Sequence, residues 1–275
     1  MNPNLTALLA KTDQIMAGKF AVPDDHPGPL HVGVDLGTAY TVLLVLDRDY
    51  QPIAGTYQFA QVVRDGLVVD FMGAIALLKQ LKAKVEDRLG FPLTSAASGY
   101  PPGVPLVEVR ATAHVLEAAG LECTGLVDEP TAANNVLQIQ DGAIVDVGGG
   151  TTGVAIFKDG QKIYTADEAT GGTQFSLVIA GARDISFEDA EKLKTDPRNH
   201  NELFPIVRPT MEKVASIVRR HINGHNIDTI YLVGGTASFP RIAEVVQDYT
   251  GIRAIVPASP LFITPLGIAM HNQPV

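Results

Sequence analysis

One pattern occurs twice in this chain, and the repetition limits the fold more than any other feature. The first copy reads V-G-V-D-L-G-T-A-Y-T-V over residues 32–42, and the second reads A-I-V-D-V-G-G-G-T-T-G-V-A-I over residues 143–156. Each is an apolar strand ending in an aspartate, then a Gly/Thr turn, then a second apolar strand. Asp35 aligns with Asp146, an offset of 146 − 35 = 111 positions. A third Gly-rich turn closes another strand in Y-L-V-G-G-T, residues 231–236. Two related turns and a third of the same kind predict two similar lobes gripping one phosphorylated ligand.

The residue types suit phosphate. A hairpin with Gly at its bend takes unusual backbone angles at no steric cost. Its bare N–H groups can converge on an anion, and Thr38, Thr151 and Thr152 add hydroxyl donors. Asp35 and Asp146 would repel phosphate unless a cation lies between, most simply Mg²⁺ that keeps its waters. The plain alternative for either copy alone is an ordinary β-turn with an Asp/Gly signature.

Composition excludes several classes. The 275 residues fit one large or two modest domains. A net charge of −9 with no long basic run argues against a nucleic-acid partner. No apolar run reaches membrane-spanning length and no signal-peptide pattern opens the chain, so a cytoplasmic location is expected. The single cysteine, Cys123, allows no intrachain disulfide framework and fits a reducing compartment, and its apolar neighbours predict an inert thiol. No Cys/His cluster has metal-ligand spacing.

Hydrophobic periodicity organises the rest. Residues 1–18 form an amphipathic helix with Leu5, Leu8, Leu9, Thr12, Ile15 and Met16 on one stripe, followed by the Pro/Gly/Asp linker 22–29. That helix either docks a partner or folds back on the body. Lobe I spans 30–140 plus 258–275. Strands are predicted at 30–35, 40–47, 53–59 and 94–98, a turn at Asp65-Gly66, and helices at 71–89 and 105–119. Lobe II spans 141–257. Its strands are predicted at 143–146, 153–158, 162–167, 229–233 and 253–256, and its helices reach to 182 and over 186–194, 201–223 and 239–249. A last helix, 265–271, crosses back to lobe I. The order predicts α/β lobes with mixed sheets.

These motifs resemble a known group. The D-L-G-T, D-V-G-G-G-T and V-G-G-T turns look like the phosphate-1, phosphate-2 and adenosine motifs of the actin/Hsp70/sugar-kinase ATPase superfamily. D-E-P-T-A-A, residues 128–133, resembles the connecting motif of Hsp70 and MreB-like proteins, and V-R-D-G-L-V-V-D-F, residues 63–71, is also MreB-like. The likeness runs from Leu30 to the last helix. It implies an α/β, two-lobed actin-like ATPase fold of duplicated ribonuclease-H-like lobes with a nucleotide cleft between them. Within the superfamily, V-V-R-D-G, S-G-Y-P-P-G, A-G-L-E, D-E-P-T-A, T-A-D-E-A-T-G-G and L-F-I-T-P-L resemble a chaperone-like branch of bacterial ethanolamine utilisation linked to microcompartments. That likeness implies ethanolamine-pathway enzymes or shell proteins as partners.

The resemblance also assigns residues. Gly37, Thr38 and Ala39 from lobe I, and Gly148, Gly149, Gly150 and Thr151 from lobe II, would meet the phosphates of ATP or ADP. Asp35 and Asp146 would hold Mg²⁺ through water. Glu129 matches the connecting-motif glutamate that positions the attacking water; the plain alternative is capping at a helix start. Gly234, Gly235 and Thr236 match the adenosine motif. Glu191 and Lys194 stand where actin-like proteins contact base and ribose; the plain alternative is a solvated helix face with an i,i+3 pair. Gly171 and Gly172 match a turn before a lobe II helix, as fitting for structure as for ligand.

The sequence departs from Hsp70 in three places. The catalytic lysine of the first lobe has no clear match, since Lys79, Lys82 and Lys84 lie on an amphipathic helix. Ala39 replaces the second Thr of the phosphate-1 turn. No substrate-binding domain follows the last helix. Slow ATP hydrolysis with Mg²⁺ is therefore one reading, in a chaperone-like assembly factor. An actin-like scaffold or pseudo-ATPase is another. A small-molecule kinase is a third, for which no acceptor-pocket insert is visible.

Overall fold

The computed structural model describes residues 3–19, 28–64 and 66–273. Two compact units divide the chain, one of residues 1–138 with 261–275 and one of residues 139–260.

The duplicated pattern is a duplicated topology. Unit 1 carries β1 (His31–Leu36), β2 (Tyr40–Leu46), β3 (Pro52–Phe59), the small hairpin β4 (Val63–Arg64) and β5 (Leu67–Val68), α2 (Phe71–Leu89), β6 (Ser95–Tyr100), α3 (Leu106–Ala118), β7 (Glu122–Asp128) and α4 (Glu129–Leu137). Unit 2 repeats the plan with β8 (Gly142–Val147), β9 (Thr152–Lys158), β10 (Gln161–Glu168), α5 (Gly172–Arg183), α6 (Phe187–Thr195), α7 (His200–Ile222), β11 (Thr229–Val233), α8 (Ile242–Thr250) and β12 (Arg253–Ile255). The sheet orders are β3-β2-β1-β6-β7 and β10-β9-β8-β11-β12. In both, the first three strands run antiparallel and the last two are parallel to the first. A mixed sheet of this kind needs a helical layer over it, and its central strands are apolar on both faces. Val32, Val34, Leu43, Val45, Leu78, Leu81 and Val85 build one core, and Val145, Val154, Phe175, Val207, Met211 and Leu232 build the other.

The last helix, α9 (Ile263–His271), follows unit 2 in the chain but packs within unit 1. It lies so close to α4 that a Cβ on Gly267 would overlap the Ala132 carbonyl, and a Cβ on Gly33 of β1 would stand 2.5 Å from the Ala269 nitrogen.

The N-terminal helix α1 (Pro3–Met16) takes the plainer of its two expected placements. It packs against β3, with Leu9, Thr12, Ile15 and Met16 buried. A Cβ on Gly55 would stand 2.5 Å from the Met16 sulfur, and the Thr12 hydroxyl bonds back to the Leu8 carbonyl at 2.9 Å. The C-terminal part of the stripe that suggested a docking peptide is therefore covered by the body, while Leu5 and Leu8 are half-buried. Residues 22–27 of the expected linker, and Asp65 of the expected Asp-Gly turn, lie outside the described residues.

Candidate functional site

In unit 1 the sheet delivers Asp35 to the end of β1, where it pairs across the hairpin with Val42. The turn closes through the Gly37 N–H donating to the Tyr40 carbonyl at 3.1 Å. Thr38 and Ala39 form its tip, and the Ala39 carbonyl accepts from the Ala60 N–H at 3.0 Å. Glu129 opens α4 directly after β7. Capping there belongs to its neighbour: the Asp128 carboxylate accepts from the Thr131 N–H at 3.2 Å and its hydroxyl at 2.8 Å. The N-cap of α4 is therefore Asp128, with Glu129 the acidic residue of its first turn. A Cβ on Gly99, near the end of β6, would lie 3.7 Å from Glu129 Cγ. Asp35, Gly99 and Glu129 thus gather at the C-terminal ends of three parallel strands, where open α/β sheets place their ligands.

Unit 2 repeats the hairpin in the same register. Asp146, buried with 6% of its surface exposed, pairs with Gly153. The Gly148 N–H donates to the Thr151 carbonyl at 3.0 Å, matching the bond at Gly37. Two further segments close on this turn. The Gly172 N–H donates to the Gly148 carbonyl at 2.9 Å and the Thr173 N–H to the Gly149 carbonyl at 2.7 Å. The Thr236 hydroxyl donates to the same Gly148 carbonyl at 2.7 Å. Gly234 passes directly over the aspartate at φ +88: a side chain there would overlap Asp146 Oδ1 and approach the Val147 carbonyl oxygen to 2.6 Å. Gly171 is equally confined, its Cβ position lying 2.6 Å from the Gly148 carbonyl oxygen. Gly235 and Thr236 begin the short 3-10 turn 235–238 that follows.

Glu191 and Lys194 form the expected i,i+3 pair at 2.6 Å, but on a buried face, with side chains only 9% and 12% exposed. The solvated-face alternative fails because α6 packs on α5. The Lys194 ammonium donates to Glu191 Oε2, to the Gly172 carbonyl at 3.0 Å and to Ser176 Oγ at 3.0 Å. That occupies its three donors. Ser176, fully buried, donates to Glu191 Oε2 at 2.6 Å. Burial pulls the Lys194 ammonium below its ordinary pKa, and the adjacent Glu191 carboxylate only partly offsets this. Ser176 escaped sequence reasoning, although it sits four residues after Gly172 on the same helix face.

Beside this network, Glu168 at the end of β10 pairs with Arg220 and His221 of α7. Burial alone would raise its carboxyl, yet those two partners outweigh it and hold it below the ordinary value. Cys123 is half-buried and donates to the Gly125 carbonyl, and burial pushes its thiol up, as an inert cysteine requires.

Carboxylate oxygens at Asp35 and Asp146 are hard ligands suited to hydrated Mg²⁺. The glycines at 171 and 234 let the backbone pass against the Gly148 carbonyl and Asp146, where a Cβ would clash. Among the described residues no group of three or more His, Cys, Asp and Glu side chains forms a separate metal cluster, and no helix is long and apolar enough to cross a membrane.

The family model described as type IV pilus assembly protein PilM matches residues 109–264. The ethanolamine utilization protein EutJ of Escherichia coli K12 is 45% identical over 253 residues, covering 91% of this chain and 89% of that protein. The chain belongs to the EutJ family. The crystal structure of EutJ from Carboxydothermus hydrogenoformans superposes with a TM-score of 0.92 at 45% identity, covering 98% of each chain. More distantly, a chaperone protein HscA homolog of Chromobacterium violaceum is 25% identical over 245 residues, which are 71% of this chain and 40% of that protein. MreB5 of Spiroplasma citri, solved with AMPPNP, shares the fold with a TM-score of 0.72 at 17% identity, covering 89% of this chain and 96% of that one. The family therefore carries the actin-like fold that the turn motifs imply.

Proposed function

We propose that this EutJ-family protein binds ATP or ADP with Mg²⁺ and acts as a chaperone-like factor in ethanolamine utilisation. The observation that carries the reading is the repeated hairpin. Each unit holds an aspartate at a strand end, paired seven residues ahead across a turn closed by the same glycine N–H bond. In unit 2 only glycine can pass over that aspartate at position 234. Bound Mg²⁺ would neutralise charge between the carboxylates and the phosphates. The chain's own work is to orient. Gly37, Thr38 and Ala39, and Gly148, Gly149, Gly150 and Thr151, present turn donors to phosphate oxygens. Gly234 and Gly235 form the adenosine turn, with Thr236, Glu191 and Lys194 behind it. Glu129 orients water and accepts its proton late in hydrolysis.

The chaperone-like part draws support from the likeness to the HscA homolog over 71% of this chain. Partners are ethanolamine-pathway enzymes or microcompartment shell proteins, in the cytoplasm. The test is nucleotide-dependent association: immobilised protein with ATP or with ADP is challenged with purified pathway enzymes and shell proteins, and phosphate release is followed on the same samples. Retention that differs between the two nucleotides supports the reading. Identical retention rejects it in favour of a nucleotide-independent scaffold, and no retention rejects it together with the named partners. Retention without phosphate release identifies a pseudo-ATPase.

A further inference from the structure

The phosphate-2 turn of unit 2 is held by donors on its back. A trans peptide points its N–H opposite to its carbonyl. The Gly148 carbonyl accepts two bonds, from the Gly172 N–H at 2.9 Å and the Thr236 hydroxyl at 2.7 Å. The Gly149 carbonyl accepts a third, from the Thr173 N–H at 2.7 Å. Those bonds set two successive peptide planes. The N–H groups of Gly149 and Gly150 must then point away from α5 and the adenosine turn. The first turn of α5 therefore gives its N–H groups, normally open to an anion, to the carbonyls of the neighbouring turn. Its own start is pinned in turn, since Lys194 donates to the Gly172 carbonyl at 3.0 Å and the Gly171 N–H donates to Gln174 Oε1 at 2.7 Å.

We propose that the Thr236 hydroxyl and the first turn of α5 form a brace that presets the phosphate-2 turn, with Thr236 a positioning residue and not a nucleoside contact. The inference rests on the nucleotide reading for its ligand. It ties Thr236, at the edge of the adenosine turn, to the phosphate turn through the Gly148 carbonyl, so that losing the hydroxyl loosens the phosphate donors while Gly234 stays fixed by its own close packing. Selectivity for phosphate-bearing ligands follows from this brace, while recognition of the nucleoside does not.

The test uses the full chain and the variants Thr236→Val and Thr236→Ser. Calorimetry with Mg-ATP and with adenosine reads affinity, and amide hydrogen exchange over residues 147–152 reads the brace in nucleotide-free protein. Thr236→Val should weaken ATP binding about tenfold, as expected for one lost hydrogen bond that orders several others. It should leave adenosine affinity unchanged and speed exchange across the turn. Thr236→Ser, which keeps the hydroxyl, should restore wild-type values. Unchanged exchange in Thr236→Val, or equal losses for adenosine and ATP, would overturn the proposal. A serine variant as impaired as the valine variant would do the same, by assigning the effect to the methyl group. Wild-type protein that binds no ATP would reject the nucleotide reading, while the exchange comparison would still decide the brace.

Discussion

The two units share a strand order, a hairpin register and a closing turn bond, yet they are built to different tolerances. Among the described residues, the hydrogen bonds of the Asp35 turn in unit 1 hold one carbonyl from outside it, that of Ala39 by the Ala60 N–H. In unit 2 the Asp146 turn has two carbonyls held by three donors. The strand parallel to β1 leads into Tyr100-Pro101-Pro102-Gly103, while the strand parallel to β8 leads into Gly234-Gly235-Thr236. One duplicated plan thus carries a Gly-Gly-Thr turn only in its second copy. Duplication supplies the scaffold, and close backbone approach, which glycine alone permits, supplies the specialised site.

The sharpest way to break this comparison is to place a methyl group in each turn. Gly234→Ala should cost about 4 kcal/mol or more, because a side chain at φ +88 would overlap Asp146. Gly103→Ala, at φ +80 with nothing within 4 Å, should cost about 1 kcal/mol. Urea unfolding of both variants reads the difference, and equal losses would remove the claim that unit 2 is the tighter copy.

Next in size is the buried pair of α6 behind the 234–236 turn. Glu191→Ala alone should cost about 3 kcal/mol, since it strands the Lys194 ammonium in a site that already disfavours charge. Glu191→Leu combined with Lys194→Met should recover most of that loss, because paired buried charges often give way to apolar residues at little net cost. A double-mutant cycle by thermal unfolding checks it. A double variant worse than the single one would show that the ammonium's bonds to Gly172 and Ser176 matter more than its desolvation.

The smallest effect concerns the exposed turn between α6 and α7. Arg198 bonds hold the Asp196 carboxyl at about 2, below its usual 3.8. A depressed folded pKa contributes stability that is complete above the unfolded value and is lost as pH falls through about 2. Asp196→Asn should therefore lower stability slightly at neutral pH and leave it unchanged near pH 2, flattening the acid limb by the small amount expected of a surface ion pair. NMR titration of Asp196 gives the direct check.

Much of this was legible in the chain. The helix at Phe71–Leu89 and the strand at Thr229–Val233 followed from apolar period and flanking turns, and their bounds agree with the structure. The strand Glu122–Asp128 was not predicted, because Glu122, Cys123 and Thr124 break the apolar run. The duplicated hairpins were visible as repeated Asp and Gly at fixed spacing. The brace was not. Gly148, Gly172 and Thr236 lie far apart in sequence, and their bond is a backbone carbonyl meeting a hydroxyl, which leaves no periodic signal. The buried state of Glu191 and Lys194 was hidden for a related reason: E-D-A-E-K-L-K has the composition of an exposed face. Only packing of α6 on α5 reveals that one side of it is covered.

The most direct test of the account is a calorimetric titration of Mg-ATP into wild-type protein and the Asp35→Ala and Asp146→Ala variants. Saturable one-to-one binding to wild type, weakened at least tenfold by either substitution in a folded protein, is the predicted result. Wild-type protein that takes up no nucleotide, or binding that both variants keep in full, would contradict it.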